Sequence, residues 1–271
     1  MPASPGAPPD PMAKARVPRT PIVMVHGAFC GAWTFEHFRT PFEAAGHTVI
    51  TPDLRGHADA DSSGAVSGLS MTDYAKDVAR LCAEQAEPPI LLGHSMGGLV
   101  AQLAARQAKL KAVVLLAPSP PWGVTGSSME EAVTAFGLHA LGPFWWAQPV
   151  TPDNTLMRTY SLDRLPKAER EAAVARLRTE SGRALWETLN WWMDPFMTTS
   201  IGAGPLEAPS LVLVGARDVV HPPATARMIA DRIGATCQEF PKMSHWLPGE
   251  AGWETVAETA LDWLAELPAR A

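Results

Sequence analysis

Ser95 lies in the run Gly93-His94-Ser95-Met96-Gly97-Gly98, a Gly-x-Ser-x-Gly spacing. An apolar run at 90–92 precedes it and a run of helical period follows from Leu99. Glycines two residues before and after a serine let the chain turn sharply from strand to helix without Cβ clashes, so the hydroxyl projects above the sheet edge. The N–H of the next residue, Met96, then points at the same spot from the positive end of a helix. A serine hydroxyl is a weak nucleophile at neutral pH and needs a base, which needs an acid to orient it. His245 lies five residues beyond the last strand candidate, in the loop 241–249. Asp218 follows the strand candidate 211–215, and the loop Pro118-Ser119-Pro120-Pro121 offers no rival carboxylate. Ser95, Asp218 and His245 thus fall at strand C-terminal ends, in the order that a strand–turn–helix serine elbow requires. The chemistry they suit is acyl transfer.

A tetrahedral intermediate needs two donors for its oxyanion, and main-chain N–H groups are the usual source. Met96 supplies one. The second is expected from the loop after the first strand, His26-Gly27-Ala28-Phe29-Cys30-Gly31-Ala32-Trp33, with Ala28 first and Phe29 as the alternative. Cys30 reads as a small packed residue rather than a thiol nucleophile. Among the other histidines, His221 is a rival base only three residues from Asp218, but Pro222 and Pro223 restrict its backbone. His26 and His94 flank tight turns and are expected to bond backbone groups. His57, near Asp53 and Arg55, suits a structural polar network. No partner is evident for His37, His47 or His139. No His-x-x-x-His spacing or carboxylate cluster indicates a metal, and no cofactor is expected.

These residues need a scaffold. Short apolar runs alternate with segments of helical period, the signature of an α/β fold with parallel strands and crossover helices. Strands are predicted at 22–26, 48–52, 90–93, 112–117, 211–215 and 236–240. Helices are predicted at 33–45, 71–86, 96–108, 222–233 and 252–267, with Ser70 and Asp73 as a capping box for the second. Trp253, Val256, Ala260 and Leu264 form a stripe on the last. The core is thus 21–118 and 210–271. Between them, 119–209 follows only the helical period and reads as an inserted helical cap, with one stripe at Met129, Val133, Phe136 and Ala140 and another at Leu185, Leu189 and Trp192. This interval holds Trp122, Trp145, Trp146, Trp186, Trp191 and Trp192, six of the chain's 10 tryptophans. Trp122, Trp145, Trp146 and Trp192, with Phe29 and Trp246 from core loops, are the expected substrate-binding side chains.

Composition sets the class. The chain has 271 residues, of which 46% are hydrophobic, enough for one large domain with an insert. A net charge of −6, from 22 basic and 28 acidic residues, leaves no basic footprint for nucleic acid or an anionic membrane. Residues 1–20 are Pro-rich and read as a disordered tail without the apolar stretch of a signal peptide. No apolar run approaches a membrane span. Cys30, Cys82 and Cys237 are odd in number and widely spaced, which fits a reducing cytoplasm rather than a disulfide framework.

His26-Gly27, Pro52-Asp53-Leu54-Arg55-Gly56-His57, the Gly93–Gly98 run, Asp218 and His245 together resemble the α/β-hydrolase family over residues 21–267. The segment 25–33 is similar to that of plant methylesterases and hydroxynitrile lyases. The resemblance implies a mainly parallel six-stranded sheet with helices on both faces, Ser95 as nucleophile, Asp218 as acid, His245 as base, and Ala28 and Met96 as oxyanion donors. Dehalogenases and epoxide hydrolases of this fold use an aspartate nucleophile, which Ser95 argues against. Hydroxynitrile lyases of the similar group carry Thr where Gly27 stands and Lys where Trp246 stands. The expected activity is therefore hydrolysis of a small to medium apolar or aromatic carboxylic ester. A triad-based lyase and a ligand-binding receptor on the same scaffold are the alternatives. The expected partner is the small-molecule ester alone, with neither nucleic acid nor membrane.

Overall fold

The computed structural model describes residues 19–58, 60–126 and 137–268. Most of the Pro-rich tail, and Met129, Val133 and Phe136 of the first expected cap stripe, lie outside the described residues.

Six strands form one sheet: β1 (Arg19–Val25), β2 (His47–Ile50), β3 (Ile90–His94), β4 (Ala112–Leu116), β5 (Ser210–Gly215) and β6 (Thr236–Phe240). Their order is β2-β1-β3-β4-β5-β6 and every pairing is parallel. All residues of β3, β4 and β5 are buried, as central strands covered on both faces must be.

Alternate residues of each strand feed two cores. On one face Val23, Leu91, Val113 and Val212 pack against α2 (Met71–Ala83), α3 (Met96–Ala104) and α6 (Pro223–Ile233). On the other, Met24, Leu92, Val114 and Leu213 pack against α1 (Arg39–Ala44) and α7 (Trp253–Glu266) through Phe42, Val256 and Ala260. Trp253 and Leu264 complete the α7 stripe. The capping box on α2 is present: Asp73 Oδ2 accepts from the Ser70 N–H at 2.9 Å, and the Ser70 hydroxyl accepts from the helix's first turn.

The expected helix 33–45 is two pieces, a 3-10 turn at Ala32–Phe35 and α1. Pro41 accounts for the break, because it has no N–H to donate to His37 and its ring would strike that carbonyl in a continuous helix. Between β4 and β5 the described chain carries short elements: a 3-10 turn at Trp145–Ala147, a helical stretch Asn154–Leu156 that widens into a π-turn at Met157–Ser161, α4 (Lys167–Ala175) and α5 (Gly182–Leu189). Pro149–Val150 pairs antiparallel with Glu180–Ser181.

Two buried glutamates moor this segment to the sheet domain. Glu180 reaches Tyr74 and His57. Glu187 accepts from the Ser70 hydroxyl and the Met71 N–H at the start of α2, each at 2.8 Å. Among the described residues, no helix is long and apolar enough to cross a membrane.

Candidate active site

Ser95 closes β3 and opens α3 with φ 54° and ψ −122°, a conformation that costs a non-glycine residue about 1–3 kcal/mol and must be held from outside. It is held. The Ser95 N–H donates to Leu116 O at 3.0 Å, and Ser95 O accepts from Gly98 and Ser119 N–H at 2.8 and 3.0 Å. The glycines are required by contact: a Cβ at Gly97 would overlap the carbonyl oxygens of Val25 and His26, and one at Gly93 the carbonyl of Gly97. A Cβ at Gly27 would stand 3.0 Å from that of Ser95, so the loop after β1 passes directly against the serine.

Asp218 and His245 sit at the ends of β5 and β6, both buried. Asp218 Oδ2 is 2.9 Å from His245 Nδ1, while its Oδ1 accepts from the Val220 and His221 N–H groups at 2.8 and 2.9 Å. The carboxylate is thereby fixed, and Nε2 is the nitrogen of His245 left for a reacting group. The loop carrying His245 is tied down twice more. His94 Nε2 donates to His245 O at 2.9 Å, and Glu250 Oε1 accepts from the Ser244 N–H at 2.7 Å. Burial, then the charge of His245, holds His94 well below its ordinary pKa, so it donates as a neutral ring. Burial pushes the Glu250 carboxyl up to about 7.

Ser95, His245, Ala28 and Met96 all line one cavity of 480 Å³. Among the described residues, neither the Ala28 nor the Met96 N–H has a hydrogen-bond acceptor. The Phe29 N–H faces Glu180 Oε2 at 3.4 Å. Cys30 is buried, and burial pushes its thiol up to about 12, as a packed residue rather than a nucleophile requires.

Among the described residues, the cap side of the cavity is lined mainly by aliphatic side chains, Leu138, Val150, Leu156, Met157, Leu185 and Leu189, with Tyr160 beside them. Of the six side chains expected to touch substrate, Phe29 and Trp246 line the cavity. Trp145 and Trp146 instead stack edge-to-face one layer behind, supporting Val150 and Leu185. Trp122 packs on Trp191. Trp192 is 67% exposed, because α5 ends at Asn190 and the chain leaves the helical stripe before reaching it.

Histidines read as structural are engaged as such. Leu54 N–H donates to His26 Nε2 at 3.0 Å, so Nδ1 carries the proton and donates to Gly27 O at 2.9 Å. Burial, then the His57 charge, lowers His26 to about 4. His57 pairs with Glu180 at 3.0 Å rather than with Asp53, which accepts from the Ala32 N–H. His47 and His139, for which the sequence showed no partner, have one each: His47 lies 2.7 Å from Thr20 O, and His139 is 3.3 Å from Asn190 Oδ1.

Two features escaped the sequence reading. Ser119 Oγ is 2.9 Å from His221 Nε2, and both line the cavity beside His245. Their positions just after β4 and β5 were the available signal. Glu180 gave none, since a lone glutamate in a polar stretch carries no motif.

A sequence profile described as the alpha/beta hydrolase family matches residues 22–259. A putative methylesterase from Arabidopsis thaliana is 36% identical over 114 residues, covering 37% of this chain and 40% of the relative. A pyrethroid hydrolase from Sphingobium wenxiniae is 38% identical over 79 residues, 29% of this chain and 28% of that one. The matched stretches thus span less than half of these relatives. The crystal structure of another Arabidopsis methylesterase superimposes with a TM-score of 0.68 at 19% identity, covering 92% of this chain and 100% of that one. At that identity the likeness concerns the fold.

Proposed function

The chain belongs to the alpha/beta hydrolase family, and we propose that within it the protein is a serine hydrolase of carboxylic esters. The observation that carries this reading is the convergence on one cavity of a strained serine at a strand–helix turn and a histidine locked by a carboxylate at 2.9 Å. The methylesterase and pyrethroid hydrolase likenesses point the same way.

Ser95 Oγ attacks the ester carbonyl while His245 Nε2 takes its proton, and Asp218 stabilises the imidazolium without itself being protonated. The oxyanion so formed receives the Ala28 and Met96 N–H groups; losing one such donor costs about 3 kcal/mol of transition-state stabilisation. The proton then passes from His245 to the departing alkoxide, leaving an acyl-serine. Water, deprotonated by the same imidazole, attacks the acyl carbon and releases the acid. The 119–209 segment serves as the cap whose aliphatic wall receives the apolar part of the substrate.

The lyase reading is disfavoured because glycine stands at 27, where a Cβ would be only 3.0 Å from that of Ser95, and tryptophan stands at 246, where the similar lyases carry threonine and lysine. The test is Ser95→Ala in the full chain. Turnover of p-nitrophenyl butyrate and covalent labelling by a fluorophosphonate should both vanish with the melting temperature preserved. Retained turnover would refute the assignment.

A further inference from the structure

Glu180 is fully buried, lies 85 residues from Ser95 in the chain, and touches none of the groups that carry out the reaction above. Its carboxylate nevertheless receives four donors. Oε1 accepts from Tyr74 Oη at 2.8 Å and from the Ser181 N–H at 2.7 Å; Oε2 accepts from His57 Nε2 at 3.0 Å and from the Phe29 N–H at 3.4 Å. Burial alone would raise the carboxyl's pKa, but the His57 charge and these bonds outweigh it and hold Glu180 below the ordinary carboxylate range. Burial alone would likewise neutralise His57, yet the Glu180 charge holds it above its ordinary value. The two directions agree: this is a buried ion pair, with Tyr74 bonded to one end.

The fourth donor sits in the loop that offers Ala28 to the cavity. Phe29 has φ 63°, a left-handed conformation that a phenylalanine does not adopt unaided. Two contacts from the cap hold it, the Glu180 bond to its N–H and a 2.8 Å bond from the Arg178 N–H to its carbonyl. The preceding peptide unit is fixed as well. Gly27 O accepts from His26 Nδ1 at 2.9 Å and from the Cys30 N–H at 3.3 Å. Because a trans peptide is planar with C=O and N–H opposed, anchoring Gly27 O on one side aims the Ala28 N–H to the other. Three consecutive peptide units are thus clamped, and the cap supplies the clamp on Phe29.

We propose that Glu180, buttressed by His57 and Tyr74, is a positioning residue for the oxyanion loop, so that the seating of the cap sets the aim of the Ala28 N–H. This rests on the ester-hydrolase reading, and the experiment separates the two. Parent, Glu180→Gln and Tyr74→Phe proteins are compared with p-nitrophenyl butyrate. They are also compared for inhibition by an alkyl trifluoromethyl ketone, which adds to a serine to form an oxyanion, and by the secondary alcohol of the same skeleton, which cannot.

For Glu180→Gln, kcat should fall about 10- to 100-fold, somewhat less than complete loss of an oxyanion donor, with KM within about 2-fold. Ketone affinity should fall in parallel with kcat, and alcohol affinity should stay within about 3-fold. Tyr74→Phe should move the same quantities in the same direction by a smaller factor. If ketone and alcohol weaken equally, or kcat is unchanged in a folded Glu180→Gln protein, the positioning role is overturned. Should the parent neither turn over esters nor bind the ketone, the ester-hydrolase reading fails instead.

Discussion

His94 and His245 are 151 residues apart in the chain, yet the ring of the first donates to the main-chain carbonyl of the second at 2.9 Å. The residue that immediately precedes the proposed nucleophile therefore holds the loop that carries the proposed base. Its ring stays uncharged because burial and the neighbouring His245 oppose protonation.

Replacing His94 with leucine removes that tie and leaves the His245 carbonyl with the Leu247 N–H at 3.0 Å as its remaining donor, a loss of about 1 kcal/mol. The expected outcome is a lower melting temperature together with a fall in kcat of about 10-fold, read by thermal denaturation and by p-nitrophenyl butyrate kinetics. Unchanged kcat would mean that the base loop is fixed by Glu250 and Asp218 alone.

Asp218→Asn tests the orientation of the base. The amide oxygen can still accept from the Val220 and His221 N–H groups, so the loop should persist. The amide nitrogen facing His245 Nδ1, however, stabilises the tautomer with its proton on Nε2, which cannot accept the serine proton. A loss of kcat of about 10⁴ is expected, with circular dichroism unchanged; a loss below 10-fold would exclude Asp218 as the orienting acid.

Glu250 gives a pH signature. Its carboxyl titrates near 4.5 when unfolded and is pushed up to about 7 by burial in the folded protein, so between these values the folded state holds more protons. Stability from this group is present below pH 4.5 and is lost as pH rises toward 7. Glu250→Gln abolishes the titration while keeping an oxygen for the Ser244 N–H. The variant's melting temperature minus the parent's should therefore rise by roughly 5 °C between pH 4.5 and 7.5. A difference that is flat across this range would contradict the assignment.

The aliphatic wall predicts a preference for longer acyl or alkyl chains. With about 0.8 kcal/mol per buried methylene, p-nitrophenyl butyrate should exceed the acetate in kcat/KM by about 10-fold. Leu185→Trp, which narrows the cavity, should erase that advantage while changing acetate turnover less than about 3-fold.

Much of this was legible in the sequence because the relevant signals are local. The glycines around Ser95 specify the turn, and consecutive apolar runs at 90–93, 112–117 and 211–215 specify buried parallel strands. Asp218 and His245 follow their strands closely enough that topology alone brings them to one edge. Trp145 and Trp146 stand behind the wall for a physical reason: large aromatic rings satisfy their packing as readily behind a wall as in it, and spacing does not distinguish the two layers. Trp192 misled because the stop at Asn190 has neither glycine nor proline to announce it. The Glu180–Phe29 contact joins residues 151 apart, and no periodicity encodes a contact between a core loop and an insert.

The close approach of Gly27 to Ser95, and of Gly97 to the carbonyls of Val25 and His26, bears on how this scaffold can be redesigned. The floor of the pocket is closely packed at these glycines, with little volume to trade. Altered selectivity has to be engineered from the ceiling instead, at positions such as Leu138, Leu156, Met157 and Leu189, where side chains can be exchanged without disturbing the reacting atoms.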